Sequence, residues 1–245
     1  MNRNLMNRRS GVAILDIIVG LALAALLMIP ASPAAAGNPN PRILPPGSTP
    51  HGMTYGEWSA SWWQWAVSLP VDKNPFFDEN GSCANGANGQ HGPVWFLTGV
   101  INVSGTAYRE CTVPHGRALF FPVLNVECAT LEGDGSTESQ LRACTRGYMS
   151  VVTDVYAEID GVPVKDLMAY RAASPLFIYG PLPENNVRQL FGYDAPAGST
   201  SLSVADGYYL MLPPLRTGQH TVRFGGTFGD PINFTLDITY KLTVK

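Results

Sequence analysis

The stretch NFTLDITYKLTV, Asn233 to Val244, alternates apolar and polar residues along its length. Phe234, Leu236, Ile238, Tyr240, Leu242 and Val244 share one face, and Thr235, Asp237, Thr239, Lys241 and Thr243 share the other. Side chains on a strand point alternately to opposite sides. The pattern therefore predicts one buried and one wet face, as in an antiparallel sheet over a core.

Working back from this strand, QHTVRFGG (219–226) reads as a partner strand. SLSVA (201–205), Asp206-Gly207 and YYLMLPPL (208–215) read as a hairpin, since Asp-Gly suits a two-residue turn. A second Asp-Gly at 160–161 predicts another hairpin, joining a strand over Val151 to Ile159 to a return through Val162 to Val164. PVWFLTGVI (93–101), YRECTV (108–113) and ALFFPVLNVE (118–127) are short apolar runs bounded by Gly, Pro and Asn, the texture of further strands.

Two short helices interrupt this β pattern. STESQLRACTRG (136–147) has Ser136 or Thr137 to cap it and Gly147 to end it, and PENNVRQLFG (183–192) ends at Gly192. A third helix is predicted in YGEWSASWWQWAVSLP (55–70), where Thr54 and Glu57 form a capping-box pattern and Pro70 stops the run. The expected fold is mainly β: an antiparallel β-sandwich or jelly-roll-like domain with a Trp-rich N-terminal helix and two short helices.

At the N-terminus, Arg3, Arg8 and Arg9 precede an apolar run from Ile17 to Ile29 and small residues at Ala34 and Ala36. This is the pattern of a signal peptide over 1–36, cleaved after Ala36, and Asp16 argues against a membrane anchor. Residues 37–53 then form an extended lead-in to a single β-sandwich domain over 54–245. Cleavage lowers the formal charge from −3 to about −5, which gives no electrostatic case for nucleic acid or an anionic membrane, and no stable membrane insertion is expected once the signal is removed. The expected location is secreted or periplasmic, with oligomeric state left open.

Four cysteines in an exported chain imply two disulfides, and local loop closure favours Cys83 with Cys111 and Cys128 with Cys144. No C-x-x-C pair and no preset histidine spacing occur among His51, His91, His115 and His220, so we expect no metal site and no cofactor. Neither G-x-S-x-G nor a nucleotide-binding fingerprint is present.

Candidate chemistry centres on the Trp-rich helix. At 100° per residue, Tyr55, Trp58, Trp62, Trp65 and Leu69 form one stripe, which is what anchors a helix to a sheet. Trp63 lies off that stripe, so it either packs under a second element or meets a ligand. Glu57, Ser61, Gln64 and Ser68 form a polar line beside the stripe, able to border a groove. We therefore expect Trp63, Gln64, Ser61 and His115 to contact a ligand. Glu57 and Glu127 are the candidate acid and base of a hydrolase, although a cap explains Glu57 and an ion pair with Arg117 or Arg109 explains Glu127.

The blocks YGEWSASWWQWAVSLP, GPVWFLTG, CTVPHGRALFFPVLNVEC and DGYYLMLPPLRTGQHTVRFGG resemble those of a family of exported bacterial proteins of unknown function. The resemblance covers most of the chain after the signal and implies export and one domain, with no activity to transfer. The functional expectation is an exported β-sandwich that binds a glycan or another apolar-faced small molecule through aromatic side chains. The alternatives are the carboxylate hydrolase and an envelope interaction protein without a pocket.

Overall fold

The computed structural model describes residues 42–78, 80–101 and 105–245. The signal-peptide reading over 1–36 and the first residues of the lead-in lie outside them. The described part of the lead-in is not loose. Ile43 is buried, the Leu44 N–H donates to Met211 O at 2.9 Å, and Pro50–Gly52 forms a short 3-10 turn.

Among the described residues, ten strands make two five-stranded sheets. The first holds β1 (Val94–Phe96), β3 (Ala118–Ala129), β8 (Ser201–Leu212) and β6 (Arg171–Ala173) in that order, with β7 (Phe177–Tyr179) also paired to β8. The second runs β2 (Gly105–Val113), β10 (Phe234–Val244), β9 (Gly218–Phe228), β4 (Val152–Ile159) and β5 (Val162–Pro163). Most pairs are antiparallel, but each sheet carries one parallel pair, β1 with β3 and β2 with β10. The sandwich is thus mainly antiparallel in mixed sheets.

Burial explains the two textures seen in the sequence. On β10, Leu236, Ile238, Tyr240, Leu242 and Val244 are buried while the alternate residues meet water, as expected for an outer sheet. β3 and β8 are buried along almost their whole length. One face of β3 meets the second sheet, where Phe121 packs on Phe224 with ring centres 4.9 Å apart. The other meets the Trp-rich helix α1 (Tyr55–Val67), where Phe120 contacts Tyr55 and Trp58. A strand covered on both sides has no wet face, hence no alternation.

Helix α2 (Glu138–Met149) packs its Leu141 against Cys128 and Val204. It is capped by Thr137 and runs two residues beyond the predicted stop at Gly147. The last helix, α3 (Val187–Leu190), is a single turn capped by Asn186. Both expected disulfides form, Cys83 to Cys111 and Cys128 to Cys144. Two disulfides fit a chain that matures in an oxidising compartment. Among the described residues no helix is long and apolar enough to cross a membrane.

One hairpin prediction is corrected. The Asp160-Gly161 turn joins β4 to β5 as expected, but Asp206-Gly207 lies inside β8. The Asp206 carboxylate is held by both ends of the Arg171 guanidinium at 2.9 and 2.8 Å. A Cβ on Gly207 would stand 2.5 Å from Asn125 Cβ. The glycine thus serves the close approach of β3, not a turn.

Candidate functional site

Helix α1 is built as its sequence predicts. The Thr54 hydroxyl accepts from the Glu57 N–H at 3.2 Å, and the Glu57 carboxylate accepts from the Thr54 N–H at 2.7 Å. These bonds hold the Glu57 carboxyl below its ordinary pKa, and the side chain is exposed. Glu57 is a cap.

Each ring of the stripe is buried by its body and tied by its polar end. Trp58 Nε1 donates to Pro50 O at 2.9 Å, Trp62 Nε1 to Leu97 O at 2.9 Å, and Trp65 Nε1 to Asn88 O at 3.0 Å. Tyr55 donates to Leu44 O at 2.7 Å. At about 25 cal/mol per Å² and roughly 200 Å² per ring, burial of this stripe dominates the helix's attachment. The three indole bonds also fix three separate segments around α1.

Of the two courses expected for Trp63, it takes the first and packs under a second element. It is only 7% exposed, stands edge-on to Trp62 at 5.0 Å, and lies 5.8 Å from the Arg188 guanidinium of α3. The second element that covers it is α3, through Arg188.

The polar line of α1 does open onto a groove. Its volume is about 400 Å³, and Ser61, Gln64 and Ser68 form one wall. Its lining also includes the apolar Met53, Trp58, Trp65 and Phe96, and the 89–93 segment that carries His91. Gln64 is fixed by donation from Nε2 to Ile178 O at 2.8 Å, which ties α1 to β7. His91 is exposed, with Nδ1 2.8 Å from Gly89 O. Ser61 and Gln64 thus come together as expected, whereas His115 does not join them. His115 lies in the β2–β3 turn with its N–H on Lys245 O at 2.9 Å, and His91 takes the histidine position in the groove. No sequence spacing pointed to His91, because the bond from Trp65 Nε1 to Asn88 O that brings its loop to α1 spans 23 residues.

Glu127 sits elsewhere, in a buried charge cluster. Its carboxylate accepts from the Arg188 guanidinium and the Ser203 hydroxyl. Arg188 Nη2 also lies 2.9 Å from Glu132 Oε1. Tyr179 is 3.5 Å from Glu132, and its ring lies 5.2 Å from the guanidinium. Burial, and then the neighbouring Glu127 charge, push the Glu132 carboxyl up to about 9, against the opposing pull of Arg188. The second carboxylate near Glu127 is therefore Glu132, not Glu57.

The expected ion-pair partners are corrected too. Arg117 donates to Gly92 O, while Arg109 is buried and donates through Nη1 to Thr98 O at 2.9 Å and to the Tyr240 hydroxyl at 2.8 Å. Sequence spacing gave no sign of Arg188, which lies 61 residues from Glu127, although Glu132 follows Glu127 closely in the chain.

No family model and no curated protein matches the chain. Among solved structures it is similar to a cysteine protease inhibitor from Entamoeba histolytica at 11% identity. That alignment covers 61% of this chain and 94% of the other, with a TM-score of 0.23. So distant a likeness carries no argument about fold or function.

Proposed function

We propose that this is an exported binding protein whose groove beside α1 takes a glycan or another small ligand with one apolar face. The groove carries this reading: Ser61, Gln64 and Ser68 line it together with Trp58, Trp65 and Phe96. A sugar presents hydroxyls around its rim and C–H groups on its face. A few oriented polar groups among apolar rings suit that chemistry. Gln64 commits its amide nitrogen to Ile178 O, which holds the amide oxygen ready to accept from a ligand hydroxyl. Rigid positioning by the three indole bonds lowers the entropy lost on binding. Export fits the two disulfides and the N-terminal sequence pattern.

The test is a titration of the protein with neutral oligosaccharides and with fatty acids, followed by tryptophan fluorescence. A binding glycan changes the emission of Trp58 and Trp65. Gln64→Ala weakens binding by roughly tenfold, the worth of one hydrogen bond. Ser61→Trp fills the groove and abolishes binding. A silent panel, or binding that survives Ser61→Trp, would overturn the reading.

A further inference from the structure

The groove beside α1 holds one side chain that can change its charge. Among its lining residues only His91 is titratable, and that residue is exposed. The other polar side chains of the lining, Ser61, Gln64 and Ser68, are neutral.

The turn that carries His91 is fixed by its surroundings. Trp65 Nε1 donates to Asn88 O at 3.0 Å. The Gln90 amide pairs with Phe96, donating to its carbonyl at 2.9 Å and accepting from its N–H at 3.0 Å. Arg117 donates to Gly92 O. A Cβ on Gly89 would stand 3.0 Å from Trp65 Nε1, so the turn lies close against α1. With its backbone and the neighbouring side chains engaged, the turn offers the His91 ring to a ligand.

One ring nitrogen is already committed. His91 Nδ1 lies 2.8 Å from Gly89 O, and a carbonyl only accepts, so Nδ1 carries a proton. Nε2 is then the nitrogen left for a ligand, an acceptor in the neutral ring and a cationic donor after protonation. Among the described residues no carboxylate lines the groove. Arg117, tied to Gly92, adds positive charge beside the turn. The Val71–Lys73 turn meets the loop through Lys73 O, and its exposed Asp72 and Lys73 offset each other. Glu57, one helical turn before Ser61, already accepts from the Thr54 N–H and hydroxyl. The complement to a cationic His91 therefore arrives with the ligand.

We propose that the ligand of this groove is an acidic glycan, a uronate whose carboxylate accepts from the protonated Nε2 of His91 while its hydroxyls meet Ser61 and the Gln64 amide oxygen. This assignment rests on the glycan reading of the groove. Binding is tighter at mildly acidic pH, where the ring is cationic, than at alkaline pH.

The probes are trigalacturonate and its methyl ester, which share linkage and hydroxyls and differ in charge. Each is titrated at about pH 5.5 and about pH 7.5, within the range where histidine changes charge. The uronate is ionised at both values, so a pH effect reports the protein. At the lower pH the uronate binds about tenfold more tightly than the ester, as one charge-assisted hydrogen bond requires, and at the higher pH about twofold. By linkage, bound uronate raises the His91 titration midpoint, followed by ¹⁵N NMR, by about one pH unit, and the ester leaves it in place. His91→Gln abolishes the pH dependence. His51→Gln preserves it, because His51 stands outside the lining with its ring 6.3 Å from Trp58. Equal affinity for uronate and ester at the lower pH would overturn the proposal, as would a pH dependence that survives His91→Gln. In either case the groove reading stands if Ser61→Trp still abolishes ester binding. Silence of both probes at both pH values would overturn the proposal as well, and the neutral panel above then decides the groove by itself.

Discussion

Arg188 serves two buried acids at once: its Nη2 contacts the Glu127 carboxylate and lies 2.9 Å from Glu132 Oε1. One guanidinium cannot neutralise two carboxylates, so with both ionised the cluster would hold one excess negative charge away from water. Retaining a proton on Glu132 relieves that excess, in keeping with its pKa near 9.

A pH dependence of stability follows. The unfolded chain releases the Glu132 proton near the ordinary glutamate value of 4.5, whereas the folded chain keeps it to about 9. Between these values the native state binds more protons. This group's contribution is therefore complete below about pH 4.5 and is lost as pH rises toward 9. Glu132→Gln, which mimics the protonated form, should remove that slope. We expect the variant to be more stable than the parent at pH 8, by about 1–3 kcal/mol, and the gap to close by pH 5. Urea unfolding at stepped pH measures it, and parallel curves would refute the shared-proton account.

Removing the cation has the opposite sign. Arg188→Met leaves Glu127 and Glu132 facing each other without a countercharge, and it strips the cover from Trp63. Losing one partner of a buried ion pair costs about 3–5 kcal/mol. The double variant Arg188→Met/Glu132→Gln should recover part of this at pH 8, because folding then no longer has to protonate Glu132, whose carboxyl is pushed up further once the pull of Arg188 is gone. Denaturant midpoints of the three proteins test the non-additivity.

These features were legible in the sequence to different depths, for physical reasons. The cap on α1, the Trp stripe and the β10 alternation are local patterns, and all three appear as read. Asp206-Gly207 misled because the local pair looks like a turn. Its actual neighbours, Arg171 and Asn125, come from distant strands. Strands β6 and β7 left no signal, being three residues each and visible only as partners of β8. Of the groove, Ser61 and Gln64 could be read from helical spacing, while His91 required knowing where Trp65 Nε1 points. Arg188, the ion-pair partner of Glu127, was illegible because it lies 61 residues along the chain, whereas Glu132 stands in the same local stretch as Glu127.

The disulfide between Cys128 and Cys144 ties α2 to β3 across a separation of 16 residues. Closing a loop of about this length contributes roughly 3 kcal/mol through the unfolded state. Replacing both cysteines with alanine should cost about that amount and expose α2 first, because Leu141 sits in a small satellite cluster with Cys128, Val204 and Val126 outside the main core. Hydrogen exchange across 138–149 measures the local effect. Uniform loss of protection across the whole chain would refute the local tether.

Two helical glycines should respond to the same substitution with opposite signs. Alanine is favoured over glycine in a helix by about 1 kcal/mol, so propensity alone predicts that both variants gain stability. At Gly147, in exposed α2, an added Cβ meets nothing within 4 Å, and the gain should appear. At Gly56 the Cβ would stand 2.3 Å from Ala173 O, a backbone atom of β6 with no flexible end to move aside. Helix α1 must then lift from the first sheet, loosening Tyr55 from Phe120 and shifting the polar wall of the groove. Overpacking of this kind costs about 1–3 kcal/mol, which outweighs the propensity gain, so Gly56→Ala should be net destabilising. Thermal unfolding of the two variants decides: a stabilised Gly56→Ala protein would mean that α1 does not sit against β6 so closely.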